Sequence, residues 1–348
     1  MTIRVAVIGV GRWGVHFVRN FIHHPQAELI AVFDASEDSL TLCQQKFNLD
    51  RNQVIFSTSW EEIKDLANLD AIVVATPAST HYPLILDALN SGYHVLAEKP
   101  LTLDPQECLE LSELAASQGL QLFVDHTYLF NSAVNRGKAV IEDQQLGELR
   151  YGYATRSHLS PVRQDVDALW DLAIHDLAIF NYWLGQTPYQ VQAKGQVWLQ
   201  PEKTMTISSQ TGLADVVWLT LYYPDGFQAH IHLSWLNPDK QRRLCIVGSK
   251  GTLIFDEMVT DTPLTLQQGY FEQVGEKFIP QGQSRKVMEV KPVEPLKAVC
   301  DRFIQNILNN NPKSPDDIAS GWTGAELVKI LRALTTSMEQ QGKVIRVC

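Results

Sequence analysis

Ile3-Arg4-Val5-Ala6-Val7-Ile8-Gly9-Val10-Gly11-Arg12-Trp13-Gly14 is the stretch on which the fold turns. A short apolar run ends on three glycines spaced G-x-G-x-x-G, and a helix-like pattern follows from Trp13 to Ile22. In that spacing Gly9 permits a tight turn, Gly11 lets backbone approach a pyrophosphate, and Gly14 lets helix and strand pack closely. Backbone N–H groups at the start of such a helix face phosphate oxygens. The glycines alone are weak evidence. Here Asp34 closes the next apolar run twenty positions after Gly14 (34 − 14), where an acid accepts hydrogen bonds from adenosine ribose hydroxyls. A carboxylate at that point repels a 2′-phosphate, so the reading is NAD. NADP stays open, because a neighbouring basic residue would change the preference.

Working outward, Leu29–Phe33, Ala71–Ala75, His94–Ala97 and Leu120–Val124 read as further buried strands. Ser36–Phe47, Thr80–Asn90 and Pro105–Ser117 read as the helices between them. Alternating strands and helices predict a parallel sheet covered on both faces, and unbroken apolar strands agree. The pattern changes after Val124. Helices are expected over Ser132–Leu146, stopped by Gly147, and over Ala168–Leu184, stopped by Gly185. Phe227, Ala229, Ile231, Leu233 and Trp235 then alternate with polar residues, the period of a strand with one buried face. Asp215–Tyr223 is strand-like before it, with Pro224-Asp225-Gly226 as the turn, and Gly248-Ser249-Lys250-Gly251 is a second turn before Thr252–Phe255. Hairpins predict antiparallel pairing. Helices over Leu296–Leu308 and Ile318–Gln340, joined by a loop at Asn309–Pro315, complete the chain. The division expected is a Rossmann domain over residues 1–123, doubly wound about a parallel sheet, and an α+β domain over 124–348 whose last helices can pack back on the first.

Bulk properties narrow the function. At 348 residues there is enough chain for two cores, and a formal charge of −10 repels phosphate backbones, which argues against nucleic acid as a partner. No apolar stretch is long enough to cross a bilayer, and no leader pattern precedes Ile3, so a cytoplasmic protein with no membrane partner is expected. Cys43, Cys108, Cys245, Cys300 and Cys348 lack paired spacing, which argues against a disulfide framework or structural zinc; most read as small buried hydrophobes. His230 and His232 share one strand face without further ligands nearby in sequence, so a polar sheet face or a subunit interface is expected there and no metal.

Thr76-Pro77-Ala78-Ser79-Thr80-His81 follows the third apolar run, and Gly92-Tyr93-His94-Val95-Leu96-Ala97-Glu98-Lys99-Pro100 comes after it. With the glycine turn, this order resembles the glucose–fructose oxidoreductase/inositol dehydrogenase/MocA (Gfo/Idh/MocA) family over nearly the whole chain. The resemblance implies a Rossmann domain followed by an α+β domain with a large, mainly antiparallel sheet. Such sheets meet in homodimers or homotetramers. It also implies an NAD(P)-dependent dehydrogenase acting on CH–OH groups, with a cofactor site at Gly9, Gly11, Arg12, Trp13, Gly14, Asp34, Thr76, Pro77, His81, Glu98 and Lys99, helix–strand packing being the alternative for Trp13 and a structural role the expectation for His81. Lys99 becomes the catalytic or substrate-positioning lysine, with Pro100 in a cis peptide. An ammonium there stabilises alkoxide-like charge as an alcohol is oxidised. A surface lysine in a turn is the plain alternative.

Trp170-Asp171-Leu172-Ala173-Ile174-His175 matches the family's D-x-x-x-H helix. Residues four apart share a helix face. The resemblance makes His175 the base for the hydroxyl proton, since an imidazole titrates near neutrality, and Asp171 its support. His126 and Tyr128 fall where the family lines the nicotinamide end of the site. Two stretches, Asp165–Asp176 and Ala229–Arg243, resemble a nucleotide-sugar subgroup, so the substrate implied is a small-molecule sugar, nucleotide sugar or cyclitol. Trp170, Arg156, Arg163, Lys240, Arg242 and Arg243 are then candidates to hold it, with rim charges or salt bridges as the alternative for the basic residues. Asp167 stands where the resemblance implies asparagine, and Ile174 where many relatives carry proline. Two other functions stay open: an oxidoreductase that retains its cofactor and cycles between two substrates, and a non-catalytic dinucleotide- or sugar-sensing protein.

Overall fold

The run Ile3–Ile8 forms β1, a central strand of a six-stranded sheet. In the computed structural model residues 1–159, 161–205, 207–208, 211–309 and 317–348 are described. The chain divides into two compact units, Met1–Phe130 with Glu294–Val328, and Asn131–Val293 with Lys329–Cys348. In the first unit β1 is followed by α1 (Gly14–Ile22), β2 (Ala27–Phe33), α2 (Glu37–Phe47), β3 (Ile55–Ser57), α3 (Trp60–Lys64) and β4 (Ala71–Val74). Then come α4 (His81–Asn90), β5 (His94–Ala97), α5 (Pro105–Gln118) and β6 (Leu122–Val124). The strands lie in the order β3-β2-β1-β4-β5-β6, all parallel. The order reverses between β1 and β4, the place where doubly wound sheets open a crevice at their carboxyl edge. Strands buried on both faces explain the unbroken apolar runs: Val5, Val7, Ile72 and Val73 are fully buried. Helix ends follow local chemistry. Ser36 accepts from Ser39 N at the start of α2, and Asp104 accepts from Gln106 N and Glu107 N ahead of Pro105 at the start of α5. The sequence reading passes over β3 and α3; three residues of half-exposed strand carry too little pattern to detect.

The second unit runs α6 (Ser132–Glu142), β7 (Leu149–Ser157), a π-helical turn at Leu169–Ala173, α7 (Ile174–Leu184), β8 (Gln190–Gln196), β9 (Gln200–Thr204) and β10 (Thr211–Leu213). β11 (Val216–Tyr222), β12 (Gln228–Ser234), β13 (Gln241–Gly248), β14 (Gly251–Asp256), β15 (Leu264–Val274) and β16 (Lys277–Val287) follow. The chain returns to the first unit through α8 (Pro295–Leu308), then runs along α9 (Gly321–Glu339) to β17 (Ile345–Arg346). Nine strands form one sheet, β16-β15-β14-β13-β7-β12-β11-β8-β17, antiparallel except where β12 meets β7. Both expected hairpins are present, β11–β12 and β13–β14.

One face of that sheet is packed by α7 and the last turns of α9. A Cβ on Gly152 would fall 2.6 Å from the Phe180 ring, and Ser337 Oγ accepts from Ala193 N. The opposite face carries Tyr151, Tyr153 and Trp218, all more than a third exposed, with His232 stacked on Trp218 at 5.5 Å. In the first unit α8 packs on the parallel sheet through Val299, Phe303 and Ile304, beside Phe17, Phe21 and Phe123.

Three local expectations change. α6 ends at Glu142 rather than Leu146, because Gln144 takes a left-handed conformation (φ 55°) and Gln145 N closes the helix on Val140 O. The helix expected from Ala168 opens with a π turn before α7, which does stop at Gly185 (φ 66°). The last helix starts at Gly321, with Ser320 Oγ accepting from Thr323 N. Of the loop expected at 309–315, positions 310–315 lie outside the described residues.

Candidate active site

The glycine turn after β1 has the shape its residues predict. Gly9 sits at φ +89°, and a Cβ on it would lie 2.8 Å from Ala75 O. A Cβ on Gly14 would lie 1.8 Å from Gly9 O, so neither position accepts a side chain. Around Gly11 nothing lies within 4 Å. The turn is therefore closed toward the protein and open at Gly11, as a backbone cradle for phosphate oxygens requires. Asp34 ties this turn to the end of β2: its Oδ2 accepts from Val10 N at 2.8 Å and its Oδ1 from Ser36 N at 2.9 Å. A carboxylate oxygen has a second lone pair, so these bonds leave acceptor capacity for ribose hydroxyls. Arg12 and Trp13 are exposed at the mouth of the turn, with the guanidinium carbon 5.9 Å from the indole centroid.

Thr76 and Pro77 lead from β4, Glu98 and Lys99 from β5, and Asp125 and His126 from β6, all at the carboxyl edge of one sheet. His81, 1% exposed, joins two of these loops: its Nε2 lies 2.9 Å from Thr76 O, and its Nδ1 lies 3.0 Å from Pro100 O and 3.1 Å from Leu101 O. It shapes the edge from beneath. The Lys99–Pro100 peptide is cis. Lys99 N donates to Glu98 Oε2 at 3.1 Å, and Lys99 itself is half-buried. His126 is buried, and burial with the nearby Lys99 charge pushes its imidazole down to about 3, so it is neutral at working pH. Its Nε2 has no partner among the described residues. Tyr128 lies half-buried in the short helical turn Thr127–Phe130.

In the second unit Asp171 lies on the π turn and His175 on the first turn of α7, both half-buried. π turns interrupt the regular ladder and occur often at functional sites. Trp235 Nε1 donates to Asp171 Oδ2 at 3.2 Å, and Arg163 approaches its Oδ1 at 3.5 Å. Arg163 in turn holds Asp165 bidentately. Trp170 is fully buried and donates from Nε1 to Thr335 Oγ1, so its ring is core. Asp167 is buried; its Oδ1 accepts from Trp170 N at 3.0 Å, and burial pushes its carboxyl up to about 7 against the opposing pull of those backbone donors.

The candidate basic cluster is not one site. Arg156, 3% exposed, grips Asp176 through two bonds of 3.0 and 2.9 Å, the salt-bridge alternative left open by the sequence. Arg242 pairs with Glu257 at 2.7 Å. Arg242 faces Arg156 across β13–β7, so its neighbour Arg243 lies on the opposite sheet face, beside Tyr153 and Cys245. Lys240 is exposed in the turn before β13. Sequence reasoning missed Trp235 as the support of Asp171, and it missed His158 at the end of β7. Burial, then Arg242, lowers the His158 imidazole, and its Nδ1 has no partner among the described residues. Neither residue carries a local signal, since Asp171 and Arg242, which they meet, lie far along the chain from them. Asp125 was missed for the same reason. No cluster of three metal-ligating side chains occurs among the described residues.

Comparison with known proteins extends across both units. A family model described as an oxidoreductase family with an NAD-binding Rossmann fold matches residues 3–126, and the GFO/IDH/MocA C-terminal domain matches residues 134–254. The chain is 25% identical over 258 residues to scyllo-inositol 2-dehydrogenase (NAD(+)) of Bacillus subtilis (strain 168), covering 72% of this chain and 73% of that one. It is 28% identical over 246 residues to UDP-N-acetylglucosamine 3-dehydrogenase of Acidithiobacillus ferrooxidans, 70% of each. The solved structure of UDP-N-acetylglucosamine 3-dehydrogenase GnnA from the same species shares the fold with a TM-score of 0.80, at 22% identity and 98% coverage of both chains.

Proposed function

The chain belongs to the Gfo/Idh/MocA family of NAD-binding oxidoreductases, and on that premise we propose that it moves a hydride between the carbinol carbon of a sugar, nucleotide sugar or cyclitol and the nicotinamide of NAD. The observation that carries the reading is the carboxyl edge of the parallel sheet. There the glycine turn admits no side chain at positions 9 and 14, stands open at Gly11, and is followed along the same edge by Thr76, Lys99 and His126. NAD, when bound, supplies the hydride acceptor. The turn's backbone N–H groups hold the pyrophosphate, and Asp34 takes the adenosine ribose and turns away a 2′-phosphate.

Lys99 brings an ammonium to the substrate oxygen, where negative charge grows as the alcohol loses its proton. His175 receives that proton, and Asp171, fixed by Trp235 and Arg163, orients the imidazole or takes a neighbouring hydroxyl. In this mechanism Lys99 and His175 act on one carbon. The relatives' names, an inositol dehydrogenase and a UDP-amino-sugar dehydrogenase, set the first substrates to try. The open sheet face around Tyr153 and Trp218 is where a second copy of the chain sits in this reading.

The test is NAD reduction with a panel of inositols, aldoses and UDP-linked amino sugars, using protein first assayed for retained nicotinamide. One member of the panel is expected to reduce NAD, and His175→Ala to lower turnover far more than cofactor affinity. Tight NAD binding with no reduction by any member would favour a sensing role, and a fully active His175→Ala would remove His175 from the mechanism.

A further inference from the structure

Beside Lys99 two acids are buried together. Asp125 N donates to Ala97 O at 2.8 Å, which draws the ends of β5 and β6 side by side. Asp125 is 2% and Glu98 7% exposed, and their side chains hydrogen-bond to each other. Two ionised carboxylates cannot do so, because each is then only an acceptor; one proton must lie between them. We propose that Glu98 and Asp125 form a one-proton acid pair that presents a single negative charge to Lys99 and so holds its ammonium in place. This rests on the role given to Lys99 above.

The surroundings set the charge on the pair. Thr127 Oγ1 donates to Asp125 Oδ1 at 2.7 Å, and Lys99 is the cation that acts on Asp125. Burial pushes Asp125 up to about 6, against the pull of Thr127, Lys99 and Glu98. Near neutral pH the pair therefore carries one negative charge and one proton. Two neighbouring groups are uncharged there. His126, on the same strand end, is held neutral, and Cys300 on α8 is kept a thiol by burial and by the Asp125 charge. On α8, Asp301, Glu294 and Lys297 act on Cys300. As pH falls through about 6 the pair takes its second proton, the buried negative charge disappears, and Lys99 loses the group that holds it.

Glu98 and Asp125 are positioning residues in this scheme, tested by two readouts. With transfer measured in a single turnover in a His175→Asn background, so that the base's own titration is absent, the pH profile should show an acid limb near pH 6 from the pair. Asp125→Asn should abolish that limb and lower turnover roughly tenfold at neutral pH. Glu98→Gln keeps a neutral donor facing Asp125 and should keep the limb. Infrared spectra of the cofactor-free protein at about pH 8 should show a protonated-carboxyl band in the wild type that either substitution removes. Absence of that band from the wild type, or an acid limb that survives Asp125→Asn in the His175→Asn background, would overturn the proposal. If Lys99→Met proved fully active, the band would still appear, so failure of the reaction scheme is distinguishable from failure of the pair.

Discussion

Asp167→Asn should make the protein more stable, and increasingly so as pH rises. Asp167 sits where the family resemblance implies asparagine. Its Oδ1 accepts from Trp170 N, a bond that asparagine can also accept, but burial raises the carboxyl from 3.8 to about 7. A raised folded-state value means that the native state binds the proton more tightly than the unfolded chain. The associated stability is complete below about pH 4 and is lost as pH rises through about 7. A tenfold difference in proton affinity is worth about 1.4 kcal/mol, so full ionisation costs ~4 kcal/mol, of which ~3 kcal/mol is lost between about pH 5 and 8. The amide has no such dependence. At roughly 2 °C per kcal/mol for a chain of this size, the difference in Tm between variant and wild type should widen by roughly 5 °C across that range. Thermal unfolding followed by tryptophan fluorescence at several pH values gives the number, and titrations elsewhere cancel in the difference. A gap independent of pH would show that Asp167 is already ionised in the native state and that the burial argument fails.

The remaining predictions separate the turn and the ion pair from the chemistry. Gly11→Ala meets no protein atom and should leave the cofactor-free Tm unchanged while removing most of the Tm rise that NAD produces. Gly14→Ala, whose Cβ collides with Gly9 O, should lower the cofactor-free Tm itself; equal behaviour of the two would contradict the division of roles. Arg156→Ala leaves the Asp176 carboxylate buried and unpaired and should destabilise by roughly 3–5 kcal/mol in urea unfolding. A change below about 1 kcal/mol would show that the pair is already solvated.

Much of the first unit was legible because its signals are local. Gly9, Gly11, Gly14 and Asp34 announce the turn, and β1, β4 and β5 are short, mainly apolar runs of the kind expected of a doubly covered strand. The second unit was legible where a strand buries one face, as β12 does. It was opaque where both faces meet solvent, as in β15 and β16 beyond Gln267. In the candidate site, Lys99, Asp171 and His175 stood out through motif spacing. The residues that fix them did not: Trp235 lies 64 positions from Asp171, and Asp125 meets Glu98 only through strand pairing. Arg243 misled because proximity in sequence hides the alternation of sheet faces, which sends it away from Arg156.

Single-turnover hydride transfer, measured with NAD affinity in the same samples, tests the central claim most directly. Lys99→Met and His175→Asn should each slow transfer by roughly 100-fold or more, with the NAD Kd within about threefold of wild type, a change of under 1 kcal/mol. Transfer at the wild-type rate in either variant would contradict the assignment of the reacting centre.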